Sequence, residues 1–176
     1  MAPNTHAQHH PLIRVSTGTG AGPTRLAAFD AALVAAGVGA FNLLPLSSLI
    51  PASAEVRVVD PEAQITGAHG DLLYCVYAVS HAATPGGTAW AGIAWGRRTD
   101  DSGAGLFVEH HGDTEDEVQQ ALTSTLSAMM RARPEDYAEV GRLVAGTTCT
   151  GEPACAVVVA TYQALRWSDD ADQVSR

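Results

Sequence analysis

The chain has 176 residues, 46% hydrophobic and 16% charged, enough for one domain with a sizeable core and scarcely enough for two. Its 10 Lys and Arg against 19 Asp and Glu leave a formal net charge of −9, which repels phosphate backbones and favours cationic ligands, so nucleic acid is not an expected partner. No apolar run approaches the about 18 residues of a membrane span, and Met1-Ala2-Pro3-Asn4-Thr5-His6 has neither a basic nor an apolar leader region, so a cytoplasmic protein is expected.

Residues 1–11 and 168–176 are polar and aperiodic and read as frayed tails around a single domain, 12–167. Leu12-Ile13-Arg14-Val15 reads as a short strand, the glycine-rich stretch 18–22 as a loop, and 24–36 as a helix closed by Gly37. Strands are expected at 55–59, 72–79, 88–95 and 103–110, with Pro85-Gly86-Gly87 turning the second into the third. The clearest helix is 114–131: Thr114 and Glu117 match a capping box, and Val118, Leu122, Leu126 and Met129 follow helical spacing. Two β-rich segments, 142–148 and 154 to about 165, finish the domain, the last almost continuously apolar. Two helices and about six or seven strands, mostly in succession, argue for an α+β fold with helices packed on antiparallel sheet. Cys75, Cys149 and Cys155 form no C-x-x-C pair, and their odd number points to reduced, buried thiols.

Several patterns invite chemistry. The glycines at 18, 20 and 22 follow a strand and precede a helix, but a dinucleotide fingerprint needs glycine where Pro23 stands, and no P-loop lysine follows. Seven histidines suggest a metal, yet adjacent His110 and His111 face opposite ways on a strand, and no metal is expected. Leu26, Asp30 and Leu33 share a helical stripe, which sets a carboxylate among residues that the helix should bury; it either pairs with an arginine or water, or waits for a cationic ligand. Glu109 shares a strand face with Phe107 near the strand end, where an apolar neighbourhood would raise its pKa and let it deliver a proton at neutral pH; a plain surface glutamate is the alternative. Ser47-Ser48 sits in an apolar frame, Phe41-Asn42-Leu43-Leu44-Pro45-Leu46 before it and Leu49-Ile50-Pro51 after it. Two adjacent hydroxyls there are either a turn or a site at which the chain cuts itself.

Taken together, Ala28-Phe29-Asp30-Ala31-Ala32-Leu33, Gly37 to Leu43, Leu46-Ser47-Ser48-Leu49-Ile50-Pro51 and Gly105-Leu106-Phe107-Val108-Glu109 resemble the pyruvoyl-dependent arginine decarboxylase family, over about 12–167. The resemblance implies that Ser48 attacks the Ser47 carbonyl and becomes a covalent pyruvoyl group, splitting the precursor into a β chain, 1–47, and an α chain, 48–176. That group forms a Schiff base with a substrate amine and takes the role of pyridoxal phosphate, without phosphate or metal. It implies decarboxylation of L-arginine to agmatine in polyamine biosynthesis, with lysine, histidine or another amino acid as alternative substrates. By the same resemblance Asn42 assists processing at the oxyanion, Glu109 protonates the substrate α-carbon, Asp30 binds the guanidinium, and Leu26, Gly39 and Phe41 line the pocket. An αββα sandwich assembled as a trimer or a dimer of trimers, with sites completed by neighbouring subunits, is also implied. Ala40-Phe41 and Pro45 depart from the family's usual residues, so the pocket wall and the processing loop are expected to differ. A trimeric scaffold that never processes and a small nucleotide-binding domain are the readings from other classes.

Overall fold

The computed structural model describes residues 11–166; the expected tails lie outside the described residues, apart from Pro11. The elements run β1 (Leu12–Ala21), α1 (Arg25–Ala35), β2 (Asn42–Pro45), β3 (Leu49–Ile50), β4 (Glu55–Val58), a 3-10 turn (Pro61–Ala63), β5 (Leu72–Ala82), β6 (Thr88–Arg98), β7 (Gly105–Gly112), α2 (Glu115–Arg131), β8 (Tyr137–Thr148) and β9 (Ala154–Leu165). One sheet has five strands in the order β2-β5-β9-β1-β4, and the other has four, β3-β7-β6-β8. The architecture is α+β, with two helices and two sheets.

Side-chain alternation along the strands builds three apolar layers. Ile13, Val15, Val158 and Ala160 of the larger sheet meet Ile93, Trp95 and Phe107 of the smaller one between the sheets. Cys155, Val157 and Val159 point the other way, onto Ala28, Ala32 and Leu33 of α1. Val118, Leu122 and Leu126 of α2 cover Leu106 and Val108 on the outer face of the smaller sheet. The continuous apolar run of β9 is thus explained: both of its faces are buried. All three cysteines are buried free thiols, and burial pushes Cys75 up to about 12 and Cys155 up to about 11.

Both helices begin and end as their sequences predict. Thr24 Oγ1 accepts from Ala27 N, and Gly37 at φ 80° with Val38 N donating to Leu33 O closes α1. Thr114 and Glu117 form the reciprocal capping box of α2.

The glycine-rich stretch is a strand, not a loop: β1 continues through Gly18 and Gly20 to Ala21, paired with β9 as far as Ala154. These glycines let α1 lie almost on the sheet backbone. A Cβ on Gly20 would stand 2.5 Å from Ala32 N and 2.7 Å from Ala28 O. The sheets are also not wholly antiparallel. β1 pairs β4 in parallel, and β2 pairs β5 in parallel. Because α1 carries the chain back over the sheet, β2 runs in the direction of β1; β9 is antiparallel to both β1 and β5, so β5 shares that direction too. β8 starts at Tyr137, five residues before the expected 142, because it follows β6 across a register shift at Trp95/Gly96.

Gly20→Ala is expected to destabilise the protein by about 1–3 kcal/mol through overpacking, seen as a melting temperature lower by about 2–10 °C; an unchanged melting temperature would refute the close-approach role.

Candidate active site

The segment from β2 to β4 changes sheets twice. β2 lies at one edge of the larger sheet, β3 at an edge of the smaller one, and β4 at the opposite edge of the larger one. On the way Ile50 and Ala54, 2% and 1% exposed, enter the core between the sheets. The first change of sheet happens at Ser47. Leu46 N donates to Cys75 O on β5 at 2.9 Å, whereas Ser48 O accepts from Phe107 N on β7 at 2.8 Å. Ser47 is the exposed residue between these two anchors. Ser48 adopts φ 66°, a left-handed conformation uncommon for a residue with a Cβ, and its side chain is buried.

Ser48 Oγ donates to the Glu109 carboxylate, 2.9 Å from Oε1 and 3.0 Å from Oε2. β3 covers β7 only at Gly105 and Leu106, so Glu109 sits on an open stretch of strand edge. Along that edge runs a cleft of about 370 Å³, which Ser47, Ser48 and Glu109 line together. Its apolar wall is Leu46, Phe107 and Met129, and His110 of β7 and Thr125 of α2 also line it, with His110 Nε2 2.7 Å from Thr125 Oγ1. The Tyr162 hydroxyl donates to Leu49 O at 2.9 Å, one residue beyond Ser48. Burial first, then the Glu109 carboxylate and Cys75, push the Tyr162 hydroxyl well above its ordinary value.

The structure brings Ser47, Ser48 and Glu109 into one cleft and leaves the other expected residues outside it. Asp30 is exposed, not part of a buried stripe, and Leu26 is 76% exposed. The buried face of α1 is Ala28, Ala32 and Leu33, because small side chains are what the glycines of β1 admit; this turns Leu26, Asp30 and Val34 outward. Glu109 is likewise exposed, so the apolar enclosure expected around it is not formed by the described residues. Gly39 packs close to Val34 and lines a separate shallow pocket with Gly37, Ala40 and His69. Phe41 is half-buried against Gly67. Asn42 Nδ2 donates to Gly70 O at 2.7 Å, and Asn42 does not line the cleft.

Sequence reading missed Tyr162 and Thr125, and placed neither His110 nor Met129 at the site. His110 follows Glu109, and Thr125 stands four residues before Met129 of the recognised stripe, so both could have been found from those neighbours. Tyr162 lies 113 residues from Leu49, and no local pattern marks it. Among the described residues no cluster of three or more His, Cys, Asp or Glu could hold a metal ion, and no helix is long and apolar enough to cross a membrane.

A family model described as pyruvoyl-dependent arginine decarboxylase matches residues 12–166. A protein of that name from Halobacterium salinarum is 42% identical over 154 residues, covering 86% of this chain and 94% of its own length. Proteins of the same name from Thermococcus kodakarensis and Methanopyrus kandleri are 33% and 36% identical, covering 82% and 74% of this chain and 90% and 81% of their own.

Left-handed backbone costs a residue with a Cβ about 1–2 kcal/mol relative to glycine. Ser48→Gly is therefore expected to melt about 2–8 °C above Ser48→Ala, measured by scanning fluorimetry on the two full-length variants; equal melting temperatures would mean that residue 48 is not held left-handed.

Proposed function

The chain belongs to the pyruvoyl-dependent arginine decarboxylase family, and on that footing we propose that it splits itself between Ser47 and Ser48 and then decarboxylates L-arginine to agmatine. The observation that carries the reading is the Ser48 hydroxyl, seated in the cleft and held by both oxygens of Glu109. The layered order of α1, two sheets and α2 supports the αββα sandwich of the family.

In the splitting, Ser48 Oγ attacks the Ser47 carbonyl carbon; a C–O bond forms as the C–N bond breaks, and the hydroxyl proton ends on the freed Ser48 nitrogen. Loss of the Ser48 α-proton and departure of the Ser47 carboxylate leave dehydroalanine. Its tautomer adds water and loses ammonia, leaving a ketone where Ser48 was. The site fits such a group: its carbon skeleton is that of Ser48, and its amide carbonyl keeps the Phe107 N–H. When formed, the pyruvoyl group supplies a carbonyl that condenses with an amine and draws electron density from the bond to the departing carbon dioxide.

The chain's own residues supply the rest. Glu109, beside the Ser48 side chain, holds the proton for the substrate α-carbon. Asp30 receives the guanidinium through paired charge-assisted hydrogen bonds, with Leu26, Gly39 and Phe41 around it. Asn42 assists the splitting at the oxyanion, which requires a second amide N–H or release of Gly70. Since Asp30 is exposed on α1 and does not line the Ser48 cleft of its own chain, Asp30 reaches the cleft from a neighbouring copy. Exposed apolar side chains support this packing: Leu26 and Val34 on α1, and Leu46 and Leu49 beside the cleft. The assembly is a trimer or a dimer of trimers.

Intact-mass measurement tests the splitting, and carbon dioxide release from arginine, lysine and histidine tests the substrate. A single full-length mass without carbonyl reactivity would sink the enzyme reading. Glu109→Gln is expected to split normally, because the glutamine carbonyl still accepts the Ser48 hydroxyl, but to lose about 100-fold or more in kcat; near-normal turnover would remove the proton-donor role. Asp30→Ala is expected to raise KM for arginine about 10- to 100-fold, the worth of a charged hydrogen bond. Co-assembling Asp30→Ala with Glu109→Gln chains should restore part of the activity, and no restoration would put both residues in one subunit's site.

A further inference from the structure

Tyr162 stands on β9 of the larger sheet and crosses the space between the sheets to reach the processing segment. Its ring meets Phe107 edge-on, with centroids 6.2 Å apart and planes at 73°, and Phe107 meets Trp95 in the same way at 6.1 Å. Edge-to-face pairs of this kind leave the tyrosine little freedom to turn. At the end of this row of rings the hydroxyl donates to Leu49 O. The preceding carbonyl, that of Ser48, accepts from Phe107 N. Both carbonyls that follow the Ser47–Ser48 bond are thus held, one by the backbone of the smaller sheet and the other by a side chain of the larger one.

We propose that Tyr162 is a positioning residue for self-splitting, whose hydroxyl pins the Leu49 carbonyl and so keeps Ser48 left-handed. The φ of Ser48 is rotation about its N–Cα bond, and this rotation sets where Oγ stands relative to the Ser47 carbonyl carbon. Left-handed backbone is disfavoured for serine, so without a second anchor residue 48 relaxes and the attack geometry is lost. A tyrosine hydroxyl is protonated at neutral pH and able to donate. Tyr162 touches neither Oγ nor the scissile carbonyl in this scheme; it acts through the Leu49 peptide. The inference rests on the splitting proposed above.

The test follows splitting of freshly translated full-length chain by intact mass, for wild type, Tyr162→Phe and Tyr162→Leu. Wild type reports on the splitting reading alone: if it stays whole, that reading fails, whatever the variants do. If it splits, Tyr162→Phe should split about 3- to 10-fold more slowly, the effect of one hydrogen bond. Adding hydroxylamine, which cleaves the ester as soon as it forms, should not abolish the slowing, because the acyl shift itself is affected. Tyr162→Phe placed on Ser48→Ala should melt close to Ser48→Ala, which separates positioning from loss of fold. Wild-type splitting by Tyr162→Phe with slow splitting by Tyr162→Leu would assign the effect to ring packing and overturn the inference. So would a slowing that vanishes in hydroxylamine, or one matched by a collapse in melting temperature.

Discussion

Between Leu46 and Ser48 the backbone must leave one sheet and join the other, and both ends of that step are tied. Leu46 is hydrogen-bonded to β5 and Ser48 to β7. With one residue free between the anchors, rotation concentrates at Ser48, which takes φ 66°. Strain of this kind persists only where the surroundings over-determine it. Here the surroundings are two sheet edges, the apolar seats of Ile50 and Ala54, and the Tyr162 hydroxyl. The Ser47–Ser48 bond is thereby the one that links the two sheets.

The same geometry makes the cleft. β3 is two residues long, so it pairs with the first part of β7 and leaves the remainder open at Glu109. A longer β3 would cover that edge and fill the space beside Ser48. The short strand therefore brings the serine to β7 while leaving room for a ligand of amino-acid size. α2 then roofs the cleft through Thr125 and Met129, one helical turn apart beside its buried stripe.

On the far side of the molecule, the packing of α1 separates the two halves of the expected site. Gly18 and Gly20 draw the helix close, and only the alanine-rich face fits against them. Leu26, Asp30 and Val34 are turned outward as a consequence. The outer face of α1 thus sets a solvated acid between two exposed apolar side chains. Close packing within the chain and the outward turn of Asp30 have one cause.

Much of this was legible in the sequence. The capping residues and glycine stop of α1, the capping box and apolar stripe of α2, and the apolar run of β9 are properties of short segments, and they emerged as expected. Ser47-Ser48 and Glu109 were recognisable from their motifs, and the cleft unites them. What the sequence misread or left open concerned partners. Whether 18–22 was loop or strand depended on α1 lying over it; whether Asp30 was buried depended on which helix face those glycines admitted; the parallel edge pairings depended on where the crossovers landed. The left-handed Ser48 and the Tyr162 anchor depended on residues from both sheets meeting across the core. Propensity and periodicity act within a segment, so amino-acid order determined the elements and marked the serine pair. Facing, strain and long-range anchoring are set by the shape of whatever packs opposite, and only the tertiary structure decided them.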